Sequence, residues 1–258
     1  MCRIASYIGP QIPLENIVTA PKHSLLSQSE EATESKISFN GDGFGIAWYS
    51  HQKEPGLYRE CLPAWSDENL INLCRMLQSH LFIAHVRAST TGETMRSNCH
   101  PFTYKNWSFA HNGQIGHFEL VKRDLESVLS DSLYLARRGT TDSEVLFLLL
   151  LNEGLEECPV SACIRSLEIL EGLRKKLSLS APLRLVFVFS NGETLYGVRY
   201  ASDAFCPTLY CSENLDNGGV SLASEPLDGN SDNWTAVETS TLIEVSENHC
   251  RTHKLVTG

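Results

Sequence analysis

Helical and strand-like patterning in this 258-residue chain do not alternate one for one, and that order limits the folds open to it. Residues 3–8 alternate as a strand would, with Ile4, Tyr7 and Ile8, and residues 46–49, 81–89 and 107–111 are strand-like as well. Helical spacing marks residues 66–79, where Leu70, Leu73, Cys74 and Leu77 follow a Ser/Asp cap, and residues 116–135. Thr141 and Glu144 fit a capping box ahead of the apolar run 145–151, and Pro159 opens the helical stretch 159–176. Strands then return. Residues 183–189 and 194–200 read as a hairpin joined through Asn191-Gly192, with short strands at 208–211, 220–223, 241–245 and 254–256. Clustered helices between strands predict an α+β layered architecture and not a doubly wound one. With no linker, repeat or low-complexity stretch, the chain reads as one domain.

A chain of this length buries about three quarters of its unfolded surface and needs no disulfide or metal staple. The formal net charge of −10, without any run of Lys or Arg, argues against nucleic acid or an anionic membrane as partner and favours a small-molecule substrate. The opening MCRIASYIGPQIP has one positive charge and an apolar stretch broken by Gly9-Pro10, unlike a secretory signal. No run approaches the roughly 18 apolar residues of a membrane span. Nine cysteines without framework spacing read as reduced thiols in a cytoplasmic protein, and the lack of a CxxC pair leaves a metal or redox pair without local support.

Chemistry enters at the second residue. Removal of Met1 would leave Cys2 with a thiol and an α-amine on adjacent atoms. The amine titrates near ~8 and the thiol near ~8.5, so the ammonium stabilises the thiolate and the free amine accepts its proton. Nucleophile and base then share one residue. The strand at 3–8 would anchor this terminus, and the polar stretch 19–38 reads mostly as loop. Asn40-Gly41-Asp42-Gly43-Phe44-Gly45 reads as a corner needing positive φ or close approach, and it lacks the Lys-Ser/Thr of a phosphate loop. Arg87 falls near the end of the 81–89 strand. Asn112-Gly113 reads locally as a tight turn, and Asp142, beside a helix start, reads as a cap.

Cys2, the corner at 42–45, Ala84-His85-Val86-Arg87-Ala88-Ser89-Thr90, Asn98-Cys99-His100-Pro101, His111-Asn112-Gly113 and Thr141-Asp142-Ser143-Glu144 occur in this order. Together they resemble the class II glutamine amidotransferases, members of the N-terminal-nucleophile hydrolases. The start Met1-Cys2-Arg3 is similar to that of the solitary-domain members, and Ala223-Ser224-Glu225-Pro226 looks like the family's later strand. The resemblance implies a four-layer α/β/β/α sandwich of two stacked antiparallel sheets, with residues 2–258 forming a single glutamine amidotransferase type 2 domain. It implies that Cys2 attacks the γ-carbonyl of a glutamine-like substrate and forms a thioester that water resolves. The Asn112 side-chain amide and the Gly113 N–H would form the oxyanion hole. Arg87 would clamp the substrate α-carboxylate with a planar fork, Thr90 would add a hydrogen bond to it, and Asp142 would receive the α-ammonium. His85, His100, His111 and Cys99 are left as structural residues. No metal or organic cofactor is implied, and the partner is a small-molecule γ-glutamyl compound.

Two departures from the family pattern bear on the substrate. Ala88 and Thr91 stand where synthase-linked members carry Trp and His, which implies a wider pocket suited to a larger γ-glutamyl conjugate. Asn40-Gly41 replaces their Arg-Gly. The alternatives are a glutaminase subunit that passes ammonia to a separate synthase, and a catalytically idle member used as a binding module. The leaving amine and the oligomeric state stay open.

Overall fold

The first strand, β1 (Arg3–Pro13), is followed by the short helices α1 (Glu15–Val18) and α2 (Leu25–Glu30) in a computed structural model that describes residues 2–34, 39–88, 93–212, 215–216, 218–228, 231–246 and 249–256. Next come β2 (Phe44–Tyr49), β3 (Gly56–Glu60), α3 (Glu68–Met76), β4 (Gln78–Val86), β5 (Phe102–Tyr104) and β6 (Trp107–Ile115). Four helices follow: α4 (Phe118–Ser127), α5 (Asp131–Ala136), α6 (Asp142–Asn152) and α7 (Pro159–Lys176). The chain closes with β7 (Leu183–Ser190), β8 (Leu195–Ala201), β9 (Tyr210–Ser212), β10 (Val220–Ala223), β11 (Trp234–Ala236), β12 (Thr241–Ser246) and β13 (His249–Lys254). Among the described residues these strands make two antiparallel sheets, ordered β11-β9-β10-β1-β4-β2-β3 and β13-β12-β8-β7-β6-β5.

Side chains alternate across a strand, so each sheet has two faces to bury. Ile4 and Ile8 of β1 and Leu81 and Ile83 of β4 meet Ala110, Val186 and Val188 of the second sheet in the layer between the sheets. The opposite face of the first sheet, with Ala5, Tyr7, Phe82 and Ala84, packs on Ile17, Val18, Leu25 and Leu70 of α1 to α3. The second sheet turns Phe109, Phe187 and Phe189 onto Phe147, Leu149 and Leu167 of α6 and α7. The result is the expected four-layer α/β/β/α sandwich. Helix α6 is buried on every side from Ser143 to Leu151, because β6 covers one flank and α4, α5 and α7 cover the others. Each of its fully buried leucines contributes about 2 kcal/mol in transfer terms.

Departures from the sequence reading have local causes. Residues 116–135 form two helices, not one, because Ser130 is extended and its N–H donates to Asn152 Oδ1 at 2.9 Å. The stretch read as loop at 19–38 contains α2, capped by Ser24, whose Oγ accepts the Ser27 N–H; residues 35–38 lie outside the described residues. Asn112-Gly113 is no turn: β6 runs through it, with Asn112 opposite Val186 and Gly113 opposite Leu185. The last strand lies at 249–254, ahead of the expected 254–256. Strands β3, β5 and β11 had no readable apolar period, and all three are sheet edges. Thr141 caps α6 as expected, accepting the Glu144 N–H at 3.2 Å. The Glu144 carboxylate, however, accepts from the Arg138 and Gly139 N–H groups at 2.8 and 2.6 Å rather than reaching back to Thr141.

Candidate active site

Register builds one half of the site. Arg3 of β1 and Phe44 of β2 both stand opposite Val86 of β4, so the continuation of these strands sets Cys2, Arg87 and Gly43 side by side at one end of the first sheet. The Arg87 N–H donates to Gly43 O at 2.8 Å, and the Cys2 thiol donates to Ala88 O at 3.6 Å. Cys2 shares the parity of Ile4 and Ile8, and Arg87 that of Leu81 and Ile83, which puts both on the face turned to the second sheet. Gly43 has φ 111°, and a Cβ there would lie 2.6 Å from Cys99 Sγ and 2.7 Å from Glu60 O, so the glycine corner needs both positive φ and close approach. Arg87 is buried and its Nη1 donates to Asp42 O at 3.3 Å.

The second sheet supplies the other half. Asn112 shares the parity of Ala110 and is fully buried, yet neither atom of its amide has a hydrogen-bond partner among the described residues. His85 Nε2 lies 3.2 Å from His111 O, which brings β4, two residues before Arg87, against β6, one residue before Asn112. A Cβ at Gly113 would sit 1.8 Å from Arg184 O of β7, so the packing of two backbones excludes any other residue there. Asp142 Oδ2 accepts the Ile115 N–H at 2.8 Å and Oδ1 accepts the Ser143 N–H at 2.8 Å, tying the start of α6 to the end of β6. Asp142 is thus the first residue of α6 and not its cap, a position that Thr141 takes. Thr90, Thr91 and Met1 lie outside the described residues.

Burial pushes the Cys2 thiol up from its ordinary value, against the Ala88 hydrogen bond and the charges of Arg87 and Arg3, which pull it down. Burial likewise pushes His85 down to about 3 and lowers His100 and His111. The rings of His85 and His100 are 4.1 Å apart, and His111 Nδ1 lies 2.9 Å from Ser143 Oγ. Burial thus favours the neutral form of all three rings.

Two charged residues, present in the Met1-Cys2-Arg3 and Ala223-Ser224-Glu225-Pro226 motifs, had no role assigned from the sequence. Arg3, fully buried, lies with Nε 3.0 Å from Glu225 Oε1, and its Nη1 donates to Cys2 O at 3.0 Å. Burial pushes the Glu225 carboxyl up, but hydrogen bonds from Thr33, His23 and the Glu34 N–H, with the Arg3 charge, outweigh it and hold the group below the usual carboxylate range. The available signal was an arginine on the strand face that next carries Ala5 and Tyr7.

A thiol, a buried guanidinium and an amide with no hydrogen-bond partner among the described residues thus lie at one end of the inter-sheet layer, a set of groups that acyl transfer can use. The family described as "Glutamine amidotransferases class-II" matches residues 16–212, and the chain belongs to it. The chain is 32% identical to the "Probable glutamine amidotransferase DUG3" of Saccharomyces cerevisiae over 99% of its own length and 85% of that protein. It is 28% identical to the gamma-glutamyl-hercynylcysteine sulfoxide hydrolase of Mycobacterium tuberculosis, over 96% of this chain and 94% of that one. Among solved structures, a glutamine aminotransferase class-II domain protein from Silicibacter pomeroyi superposes with TM-score 0.78 at 35% identity, covering 98% of this chain and 99% of that one. The glutamine phosphoribosylpyrophosphate amidotransferase of B. subtilis shares the fold, with TM-score 0.66 at 16% identity over 100% of this chain and 50% of that one.

Proposed function

We propose that the chain, as one domain over residues 2–258, hydrolyses γ-glutamyl amides through Cys2. The observation that carries this is the convergence of Cys2, Arg87 and Asn112 on the layer between the sheets, with the Cys2 thiol bonded to the carbonyl of the residue after Arg87. Loss of Met1 frees the Cys2 α-amine, which takes the thiol proton and adds a positive charge beside the sulfur. The thiolate attacks the substrate γ-carbonyl carbon, a C–S bond forms, and the carbonyl electron pair moves to oxygen. The Asn112 amide and the Gly113 N–H donate to that oxyanion. As the pair returns, the C–N bond breaks and the leaving amine takes its proton from the Cys2 ammonium. Water then attacks the thioester, releasing glutamate and restoring the thiol. Arg87 and Thr90 hold the α-carboxylate, and Asp142 receives the α-ammonium on lone pairs that its two backbone contacts leave over.

The leaving amine is taken to be larger than ammonia. The small Ala88 beside the thiol, Thr91 in the sequence, and the mycobacterial relative whose name specifies a γ-glutamyl conjugate support that reading. The cysteine spacing forms no disulfide framework, which supports a cytoplasmic setting. Among the described residues no helix is long and apolar enough to cross a membrane.

Protein shown by intact mass to lack Met1 should release glutamate from γ-glutamyl amines or peptides with a kcat/KM above that for glutamine. Cys2→Ala should release none, and Cys99→Ala should stay near wild type. Glutamine outperforming every conjugate, with turnover raised by an added synthase, would instead establish the ammonia-donating reading. No turnover of any γ-glutamyl amide by the processed protein would establish a binding module, and full activity with Met1 retained would overturn the amine mechanism.

A further inference from the structure

We propose that Arg3 and Glu225 form a positioning pair that aims Cys2, an inference that rests on Cys2 being the nucleophile. Once Met1 is gone Cys2 ends the chain, and a terminal residue frays unless something ties it down. Strand β1 begins only at Arg3. Among the described residues Cys2 is held by its thiol to Ala88 O at 3.6 Å and by Arg3 Nη1 to Cys2 O at 3.0 Å. The first disappears when the thiol gives up its proton. The second persists through the reaction and fixes the plane of the Cys2–Arg3 peptide, the base from which both sulfur and amine project.

Arg3 is itself fixed from behind. Its Nε lies 3.0 Å from Glu225 Oε1, with both side chains buried. The Glu225 carboxylate also accepts from Thr33 Oγ1 at 2.6 Å, the Thr33 N–H at 3.2 Å and the Glu34 N–H at 3.0 Å, and meets His23 Nε2 at 2.7 Å. The residue before it is locked to β1, since Ser224 N–H donates to Ile4 O at 2.9 Å and Ile4 N–H donates to Ser224 Oγ at 3.0 Å. Strand register alone does not ask for any of this. The same face of β1 continues with Ala5 and Tyr7, and an apolar side chain at position 3 would bury without desolvating a guanidinium and a carboxylate. What the ion pair adds is an anchored charge: Nη1 donates to the Cys2 carbonyl while Nε stands 3.0 Å from Glu225 Oε1 as an ion-pair contact rather than an aligned hydrogen bond, a span that a lysine ammonium does not make.

The test uses the full chain lacking Met1, with Arg3→Lys and Glu225→Gln, on whichever γ-glutamyl amide the wild type turns over. Misaiming a nucleophile by about 1 Å lowers rate by roughly 10²-fold, so kcat should fall ~10- to 100-fold while KM stays within about threefold, Arg87 and Asp142 being untouched. The rate of Cys2 alkylation by iodoacetamide, followed peptide by peptide across pH, should change its profile, and that of the exposed Cys158 should not. A variant whose Cys158 profile or thermal unfolding shows a lost fold is replaced by Glu225→Asp, which keeps the charge and should recover part of kcat. Folded Arg3→Lys with kcat within twofold of wild type and an unchanged Cys2 profile would overturn the proposal. Cys2→Ala separates the two levels: if it retains activity the nucleophile reading fails, and if it is dead while Arg3→Lys is unaffected only the positioning pair fails.

Discussion

Asn112 is a buried amide with no protein partner among the described residues, a state that costs about 1–3 kcal/mol unless something else satisfies it. An oxyanion would do so. Asn112→Ala should therefore lower kcat by roughly 10²- to 10³-fold in steady-state assays while leaving stability nearly unchanged. A fall of less than tenfold would reduce Asn112 to a packing residue. Arg87 makes the complementary case for the ground state. It is buried, and a lysine in its place keeps the charge but loses the bidentate fork. Arg87→Lys should raise KM strongly with a smaller change in kcat, and an unchanged KM would remove Arg87 from the substrate clamp. At Gly113 packing alone demands glycine, because the Arg184 carbonyl excludes a side chain.

Among the elements, β1 and α6 position candidate site residues from different layers. Strand β1 brings Cys2 to the end of the first sheet, and α6 brings Asp142 to the end of β6 through the Ile115 N–H. Helix α6 stays in place by packing more than by its cap. Phe147 stacks on Phe109 of β6 with ring centroids 5.2 Å apart and is fully buried. Phe147→Ala should cost about 3–5 kcal/mol, and Thr141→Ala, which removes one capping acceptor, about 1 kcal/mol. Urea midpoints of the two variants decide the order, and equal shifts would mean that the cap and not the core holds α6. The seam at 128–130 that splits α4 from α5 follows the same logic: an external acceptor, Asn152 Oδ1, takes the Ser130 N–H, and the helix stops.

At the scale of the whole molecule, the packed interior carries buried imidazoles that resist protonation. His85 is pushed down to about 3, and His100 and His111 are lowered as well, all by burial first. The unfolded chain takes up these protons near pH ~6.5 while the folded one does not, so the stability is fully present above that pH and is lost as pH falls towards the folded values. Each such group contributes a slope of at most about 1.4 kcal/mol per pH unit. Urea midpoints should therefore be level above pH ~7 and decline steadily between about pH 6 and 4. His100→Phe should flatten that decline, since neither ring nitrogen of His100 has a partner to lose among the described residues. A midpoint that holds constant across the same range would show that the folded state takes up these protons too.

What the sequence determined by itself is what local physics dictates. Period-two and helical spacing marked β1, β4, β7, β8, α3, α6 and α7, glycine marked the Gly43 corner, and the short ordered motifs singled out Cys2, Arg87, Asn112, Gly113 and Asp142. Edge strands β3, β5 and β11 stayed illegible because a half-solvated edge needs no apolar alternation. Asn112-Gly113 looked like a turn because that pair favours one in isolation, and pairing with β7 overrides the preference. Only the tertiary structure decided what lies behind Cys2. Ser224 bonds Ile4 across 220 residues of chain, and the Arg3–Glu225 pair beside it exists because sheet order places β10 against β1, a proximity that no spacing within the sequence encodes.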